Sequence, residues 1–306
     1  MIKVFGHLSP DTDATCSAII WAWYLNEYTA NDATAYVLGE LNSETAFVLN
    51  RFEVPTPSLL PELTTGEQVV IVDTNNPQEL PANIHDTTIT TIIDHHKLVG
   101  GLSTEVPPTI TVRPLACTAT VIHDLLIEDN IEIADNIKGL MLSAILSDTL
   151  EFRSPTTTPH DKDVAEKLAG ELNLSISDLA SEMFTAKSDI SNFTDMGLIK
   201  LDSKKYEVGD KNFRISVLET TSPETVLARK AGIIEAINTC VDEEHDVDDV
   251  LFFIIDILKE EATSLTYNDL TKKVISASFG VKVETDTEVL KGIVSRKKQI
   301  LPALKL

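Results

Sequence analysis

Apolar residues follow two rhythms along this chain: short runs of four or five, and longer stretches where they recur at helical spacing. Met1–Gly6 alternates and breaks at His7, which predicts a strand opening into a loop. A-T-C-S-A-I-I-W-A-W-Y-L, from Ala14 to Leu25, predicts a helix. Asp11 and Asp13 stand at its start, where capping and the helix dipole favour carboxylates. Ala35–Leu38, Val69–Val72 and Ile89–Ile93 predict short strands, Ser43–Phe52 a helix, and Ile137–Leu146 a helix leading to Asp148. Strand–helix alternation of this kind predicts an α/β fold, with a mostly parallel sheet flanked by helices.

The rhythm lapses over Ala186–Asp195, A-K-S-D-I-S-N-F-T-D, a polar stretch that predicts a hinge or linker. A second, smaller α/β unit is expected beyond it. Phe213–Leu218, Val250–Leu258, Ser264–Tyr267 and Lys273–Ala277 read as strand-like and Pro223–Cys240 as helical. Two domains, 1–188 and 193–306, suit a length of 306 residues. The acidic run Asp242–Asp249 reads as a solvated turn.

Composition narrows the class. The chain is 43% hydrophobic and 24% charged, which predicts a globular protein. Its apolar runs, such as Leu251–Ile255, are too short to span a bilayer, and the N-terminus does not read as a signal peptide. No membrane partner and a cytoplasmic location are therefore expected. Cys16, Cys117 and Cys240 are widely spaced, which predicts reduced, half-buried thiols and not a disulfide frame or zinc knuckle. Acidic residues outnumber basic ones 48 to 25, for a net charge of −23. That charge disfavours nucleic acid as a partner. An anionic substrate must then meet local positive charge, from metals or a few placed cations.

In open α/β sheets, sites form at the carboxyl ends of strands. His7, Asp73 and the triplet Asp94-His95-His96 each follow a predicted strand. With Asp11, Asp13 and Asp148 they offer two imidazoles and four carboxylates as ligands: His7, His95, Asp11, Asp13, Asp73 and Asp148. An oxygen-rich set with some nitrogen suits Mn, Mg or Co. Two such ions about 3.5–4 Å apart are the usual clamp for phosphoryl transfer to water. Taken singly, these residues have plainer readings. Asp11 and Asp13 also suit capping, Asp73 an Asx-turn, His95 and His96 a surface pair, and Asp148 a helix end. The combination carries the inference. His85, His123, His160 and His245 read as surface or structural, and Trp21 and Trp23 as packing residues. Ser295-Arg296-Lys297-Lys298-Gln299 is a basic cluster in an acidic chain. It suits a helix end or a solubilising face, or a phosphate grip in which Arg296 is a fork and Lys297 a compact charge. Lys204, with Lys205 as its rival, could add a third cation.

The chain resembles the manganese-dependent family II inorganic pyrophosphatases of the DHH phosphoesterase superfamily. The resemblance rests on G-H-x-x-P-D-x-D at 6–13, G-E-L-N-S-E-T at 39–45, D-T-N at 73–75, D-H-H at 94–96, S-D-T at 147–149 and S-R-K-K-Q at 295–299. D-H-H marks only the superfamily; S-R-K-K-Q in a second domain is more specific. The resemblance implies a metal-binding DHH domain followed by a substrate-binding one. His7, Asp11, Asp13, Asp73, His95 and Asp148 would bind two Mn²⁺ per subunit, with Co²⁺ as a substitute, and Asp73 would bridge them. His96, Lys204, Arg296 and Lys297 would hold pyrophosphate, which enters with Mg²⁺. A metal-activated hydroxide at a site between the domains would attack, and His96 would assist the departing oxygen. The resemblance also implies an open–closed cycle about residues 187–195 and a homodimer built on the first domain. One departure is Thr74, where family members often carry His.

The nearest rival is a DHH-type short-chain exopolyphosphatase or phosphodiesterase. Nuclease-type relatives typically carry G-G-G-H in the second domain, which this chain lacks. A rival of another class is a non-catalytic metal-binding protein that keeps the fold.

Overall fold

A computed structural model describes residues 1–306, apart from the side chains of Lys297 and Lys298. The chain divides into two compact units, Met1–Ala186 and Lys187–Leu306.

The first unit runs β1 (Ile2–Phe5), α1 (Thr12–Tyr28), β2 (Ala33–Val37), α2 (Ser43–Arg51), β3 (Ser58–Leu59), β4 (Gln68–Val72), β5 (Thr88–Asp94) and β6 (Thr109–Val112). Helices α3 (Thr118–Glu128), α4 (Asp135–Thr149), α5 (Pro159–Leu172) and α6 (Ile176–Lys187) follow. The six strands form one parallel sheet in the order β3-β2-β1-β4-β5-β6. Its central strands are apolar on both faces, as parallel strands covered by helices must be. Val4, Val70, Val72 and Ile93 pack into a core with α1, α3, α4, α5 and α6, while Phe5, Val69, Ile71 and Ile89 join a second cluster. The alternation along each strand decides which face a residue serves. The expected helices and central strands form. Edge strands β3 and β6 are too short and exposed to announce themselves in the sequence pattern.

In the second unit, α7 (Asp195–Leu201) precedes β7 (Ser203–Val208), β8 (Lys211–Thr220), α8 (Pro223–Ala228), α9 (Lys230–Glu243) and β9 (Asp249–Asp256). Then come β10 (Glu261–Leu265), α10 (Asp269–Phe279), β11 (Thr287–Lys291), a π-helical turn over Arg296–Ile300 and the short α11 (Leu301–Ala303). The sheet order is β11-β10-β9-β8-β7; β8 and β9 are parallel and the other pairs antiparallel. Two expectations change here. Lys273–Ala277 is helical, inside α10, because Asn268 and Thr271 form a capping box and Val274 and Ile275 turn inward. Pro223–Cys240 is not one helix but breaks at Arg229, whose guanidinium binds Asp195 and the carbonyls of Ile190 and Phe193. The three cysteines are fully buried, not half-buried, and His123 lies inside the first unit. Among the described residues, no helix is long and apolar enough to cross a membrane.

Candidate metal centre

β1 ends against the start of α1 because Gly6 lets the two meet. A Cβ there would sit 2.7 Å from the Cβ of Ala14, closer than side chains tolerate. The turn this permits carries His7 and delivers Asp11 to the N-cap of α1, where its Oδ1 accepts the Ala14 amide at 3.0 Å. His7 Nε2 lies 3.5 Å from Asp11 Oδ2 and 3.3 Å from Asp73 Oδ2. Asp73, directly after β4, is 1% exposed and holds a left-handed φ of +60°, unusual for a non-glycine residue. Its other oxygen, Oδ1, lies 3.4 Å from His95 Nε2. One carboxylate thus faces two imidazoles delivered by different strands.

Both imidazoles are oriented by the backbone. Nδ1 of His7 lies 2.9 Å from the Leu8 carbonyl, and Nδ1 of His95 lies 3.0 Å from the Leu115 carbonyl. With Nδ1–H donating, Nε2 is the ring nitrogen left to accept a cation. Asp148, in the last turn of α4, brings Oδ2 to 3.9 Å from His95 Nε2. Thr149 closes that helix, and the chain then takes three successive left-handed residues, Leu150, Glu151 and Phe152.

Asp13 is fully buried in the first turn of α1. It accepts the Thr118 amide at 2.6 Å, the Ala119 amide at 3.0 Å and the Ser17 hydroxyl at 2.8 Å, so the N-terminus of α3 is aimed at it. Asp13, Asp148 and the Cys117 thiol lie within 4.8 Å of one another. His7, Asp11 and Asp73 form a second such group, and Asp73, His95 and His96 a third. All six expected ligand positions therefore converge.

The buried carboxylates and imidazoles shift one another strongly. Burial, joined by the Asp73 charge, pushes the Asp13 carboxyl up to about 7. Burial and the Asp13, Asp73 and Asp11 carboxylates hold Asp148 well above the usual range. Burial opposes charge on His7, but Asp11 and Asp73 outweigh it and push the imidazole up to about 11. At His95 burial is likewise outweighed, by Asp73 and Asp13, giving about 9. Asp73 moves the other way: burial is overcome by the two imidazoles, and its carboxyl is held far below the usual range. Protons here do what divalent cations would do better, so the donor set fits such ions.

Further residues support the ligands. The Thr118 hydroxyl donates to Asp73 Oδ1 at 3.0 Å, and Glu44, 1% exposed, accepts from Thr12 at 3.1 Å and Ser147 at 2.8 Å. Asp161 accepts the Ala116 amide at 3.1 Å and the Thr120 hydroxyl at 2.8 Å, fixing the loop whose Leu115 carbonyl orients His95. Asp94 binds Asn75 at 2.5 Å and His96 Nδ1 at 2.9 Å. That hydrogen bond raises the His96 pKa. The buried Thr74 hydroxyl donates to Glu79 at 2.8 Å.

The second unit holds the expected cations separately. Lys205 pairs with Asp246 at 2.6 Å and Glu244 at 3.2 Å. Lys204 projects from the opposite side of β7, exposed, and among the described residues it has no ion-pair partner. Arg296 is 8% exposed and lies 2.7 Å from Asp202 Oδ1 through Nη1. Gln299 shapes the Arg296 turn: its Oε1 accepts the amides of Val294 (2.9 Å) and Ser295 (3.0 Å), and its Nε2 donates to Gly292 O at 2.6 Å. The Lys297 side chain lies outside the described residues.

The model of the DHH family's N-terminal domain matches residues 1–145, and that of the DHHA2 domain matches 181–306. A Deinococcus radiodurans protein named "Probable manganese-dependent inorganic pyrophosphatase" is 40% identical, over 99% of this chain and 98% of its own. This chain belongs to the family II, manganese-dependent inorganic pyrophosphatases. A Listeria monocytogenes protein of the same name is 38% identical over 98% of this chain and 96% of its own. A crystal structure of a "Methanococcus jannaschii putative family II inorganic pyrophosphatase" superposes with a TM-score of 0.69 at 34% identity, covering 99% of this chain and 98% of that one.

Proposed function

We propose that this chain hydrolyses inorganic pyrophosphate to two phosphates, with His7, Asp11, Asp13, Asp73, His95 and Asp148 holding two divalent cations. The observation that carries the reading is Asp73: one oxygen 3.3 Å from His7 and the other 3.4 Å from His95, the disposition of a bridging carboxylate. Bound there, two Mn²⁺ ions would neutralise substrate charge and bring a water's pKa toward ~7. Co²⁺ is expected to substitute, and Mg²⁺ to accompany the substrate.

The chain's own residues divide the remaining work. His7 and His95, pinned through Nδ1, present Nε2. His96, whose pKa is raised by its hydrogen bond to Asp94, would donate to the departing phosphate oxygen. Arg296, Lys204 and Lys297 supply cations for the pyrophosphate oxygens, so that residues 1–188 would bind metal and residues 193–306 substrate. Lys204 is preferred over Lys205 because Lys205 is already paired with two carboxylates.

The test is phosphate release by chelator-stripped, Mn²⁺-restored protein from pyrophosphate, tripolyphosphate and a dinucleotide. Preference for pyrophosphate supports the reading. Preference for tripolyphosphate or the dinucleotide moves the activity to a short-chain exopolyphosphatase or phosphodiesterase. Asp73→Asn should remain folded and lose hydrolysis; retained turnover would remove the bridging role. A homodimer through the first unit belongs to the same reading, supported by the exposed edge strand β6 with Ile110 at 57% exposure. Sedimentation tests it, a monomer at micromolar concentration counting against it. A cytoplasmic location is supported by three free, buried thiols and is tested by cell fractionation.

A further inference from the structure

The second unit contains three arginines, and two of them are saturated. Arg214 grips Glu244 through Nε at 3.2 Å and Nη2 at 2.7 Å while Nη1 donates to Ser203 at 2.7 Å. Arg229 spends Nε on Asp195 at 2.9 Å, Nη1 on Ile190 O at 2.9 Å and Nη2 on Phe193 O at 2.8 Å. Arg296 differs. Its guanidinium is as enclosed as any in the unit, yet among the described residues Nε has no hydrogen-bond partner and Nη1 meets Asp202 Oδ1 at 2.7 Å without hydrogen-bond alignment. A buried donor left unmade is costly, and a guanidinium with free N–H groups is suited to an anion.

Asp202 is the opposite kind of partner. It caps the C-terminal end of α7, its carbonyl accepts the Val217 amide at 2.9 Å, and its side chain is 57% exposed. The backbone is therefore fixed while the carboxylate can turn into water at little cost. A single-point contact to an exposed carboxylate restrains the guanidinium without consuming it. Glu219 lies in the same charged neighbourhood, within reach of Lys187, Asp202 and Arg296.

We propose that Asp202 is a positioning residue that occupies Arg296 when no anion is bound, yields it to pyrophosphate, and then competes with product phosphate for it. The inference rests on the reading that Arg296 grips pyrophosphate. Its consequence is kinetic. Two phosphates must leave after each turnover, and a buried, unopposed guanidinium would retain them. Asp202 opposes that retention by offering a carboxylate already in place.

The experiment uses the full-length, Mn²⁺-loaded protein and measures KM for pyrophosphate, Ki for inorganic phosphate and kcat in Asp202→Asn, Asp202→Glu, Arg296→Gln and the double variant Asp202→Asn/Arg296→Gln. Asp202→Asn is expected to lower both Ki and KM about three- to tenfold, the loss of one near, partly screened like charge. Asp202→Glu should stay within about twofold of wild type, because it restores the carboxylate. In the Arg296→Gln background, Asp202→Asn should change neither constant. Unchanged or raised Ki in Asp202→Asn overturns the proposal, as does an equal shift in both backgrounds, which would be a bulk charge effect. Arg296→Gln alone tests the underlying reading: an unchanged kcat/KM there removes Arg296 from substrate binding, whatever Asp202→Asn does. If Asp202→Asn folds poorly, Asp202→Ser removes the same charge and serves in its place.

Discussion

Replacing Thr118 with Val removes one hydroxyl and almost no volume. That hydroxyl donates to Asp73 Oδ1 at 3.0 Å in a fully buried setting, on the same oxygen that faces His95. The backbone amides of Thr118 and Ala119 that hold Asp13 are untouched by the change. A hydrogen bond to a charged acceptor contributes about 1.5–3 kcal/mol, a factor of roughly 10–100 in an equilibrium constant. Loss of comparable partners of metal ligands typically costs a similar 10–100-fold in affinity. Thr118→Val should therefore weaken Mn²⁺ binding by about one to two orders of magnitude. Thr118→Ser, which keeps the hydroxyl, should stay near wild type. Isothermal titration of the stripped proteins with Mn²⁺ reads this directly. Wild-type affinity in Thr118→Val would refute the claim that this contact tunes Asp73. Equal loss in both variants would assign the effect to the methyl group's packing.

Four further outcomes are expected. The raised His7 and His95 values, about 11 and about 9, mean that both rings are charged in the metal-free site at neutral pH. Metal binding must displace those protons, so affinity should rise with pH from 6 toward 9 and proton release should appear in buffers of different ionisation enthalpy; pH-independent affinity would contradict this. The same shifts set metal-free stability. Because the folded values exceed the unfolded one, the stabilisation is full below about pH 6.5 and fades as pH rises through 9 and beyond, which thermal melts with chelator would show. Asp94→Asn removes the carboxylate that raises His96, so the alkaline limb of the kcat profile should move to lower pH; an unmoved limb would separate His96 from proton donation. Gly6→Ala forces a Cβ to 2.7 Å from Ala14 and should destabilise the fold by about 1–3 kcal/mol, read as a lowered Tm; an unchanged Tm would mean the β1–α1 junction is looser than described.

The parallel sheet and the strand-end positions of His7, Asp73 and His95 were legible because buried strands read as apolar runs that stop at polar residues. Asp148 was legible only as a helix end, since its approach to His95 depends on how α4 packs. Cys117 and Thr118 gave no signal: C-T-A-T is an ordinary helix start, and its meaning arises only when α3 points at Asp13. Glu44 was legible only as part of G-E-L-N-S-E-T and Asp161 not at all, their partners lying far along the chain. In the second unit, K-V-I-S-A at 273–277 reads as a strand because it is short and β-branched, but the capping pair Asn268 and Thr271 outweighs that local preference. The contrast among Arg214, Arg229 and Arg296 has no sequence signature at all, because saturation of a guanidinium is a property of its surroundings.

The most direct test of the two-cation centre is to titrate Mn²⁺ into stripped protein while recording both bound metal and phosphate release from pyrophosphate. The account predicts two tight equivalents per chain, with hydrolysis appearing as the second is taken up and Asp73→Asn unable to follow. Saturated activity at one equivalent, or hydrolysis without metal, would contradict it.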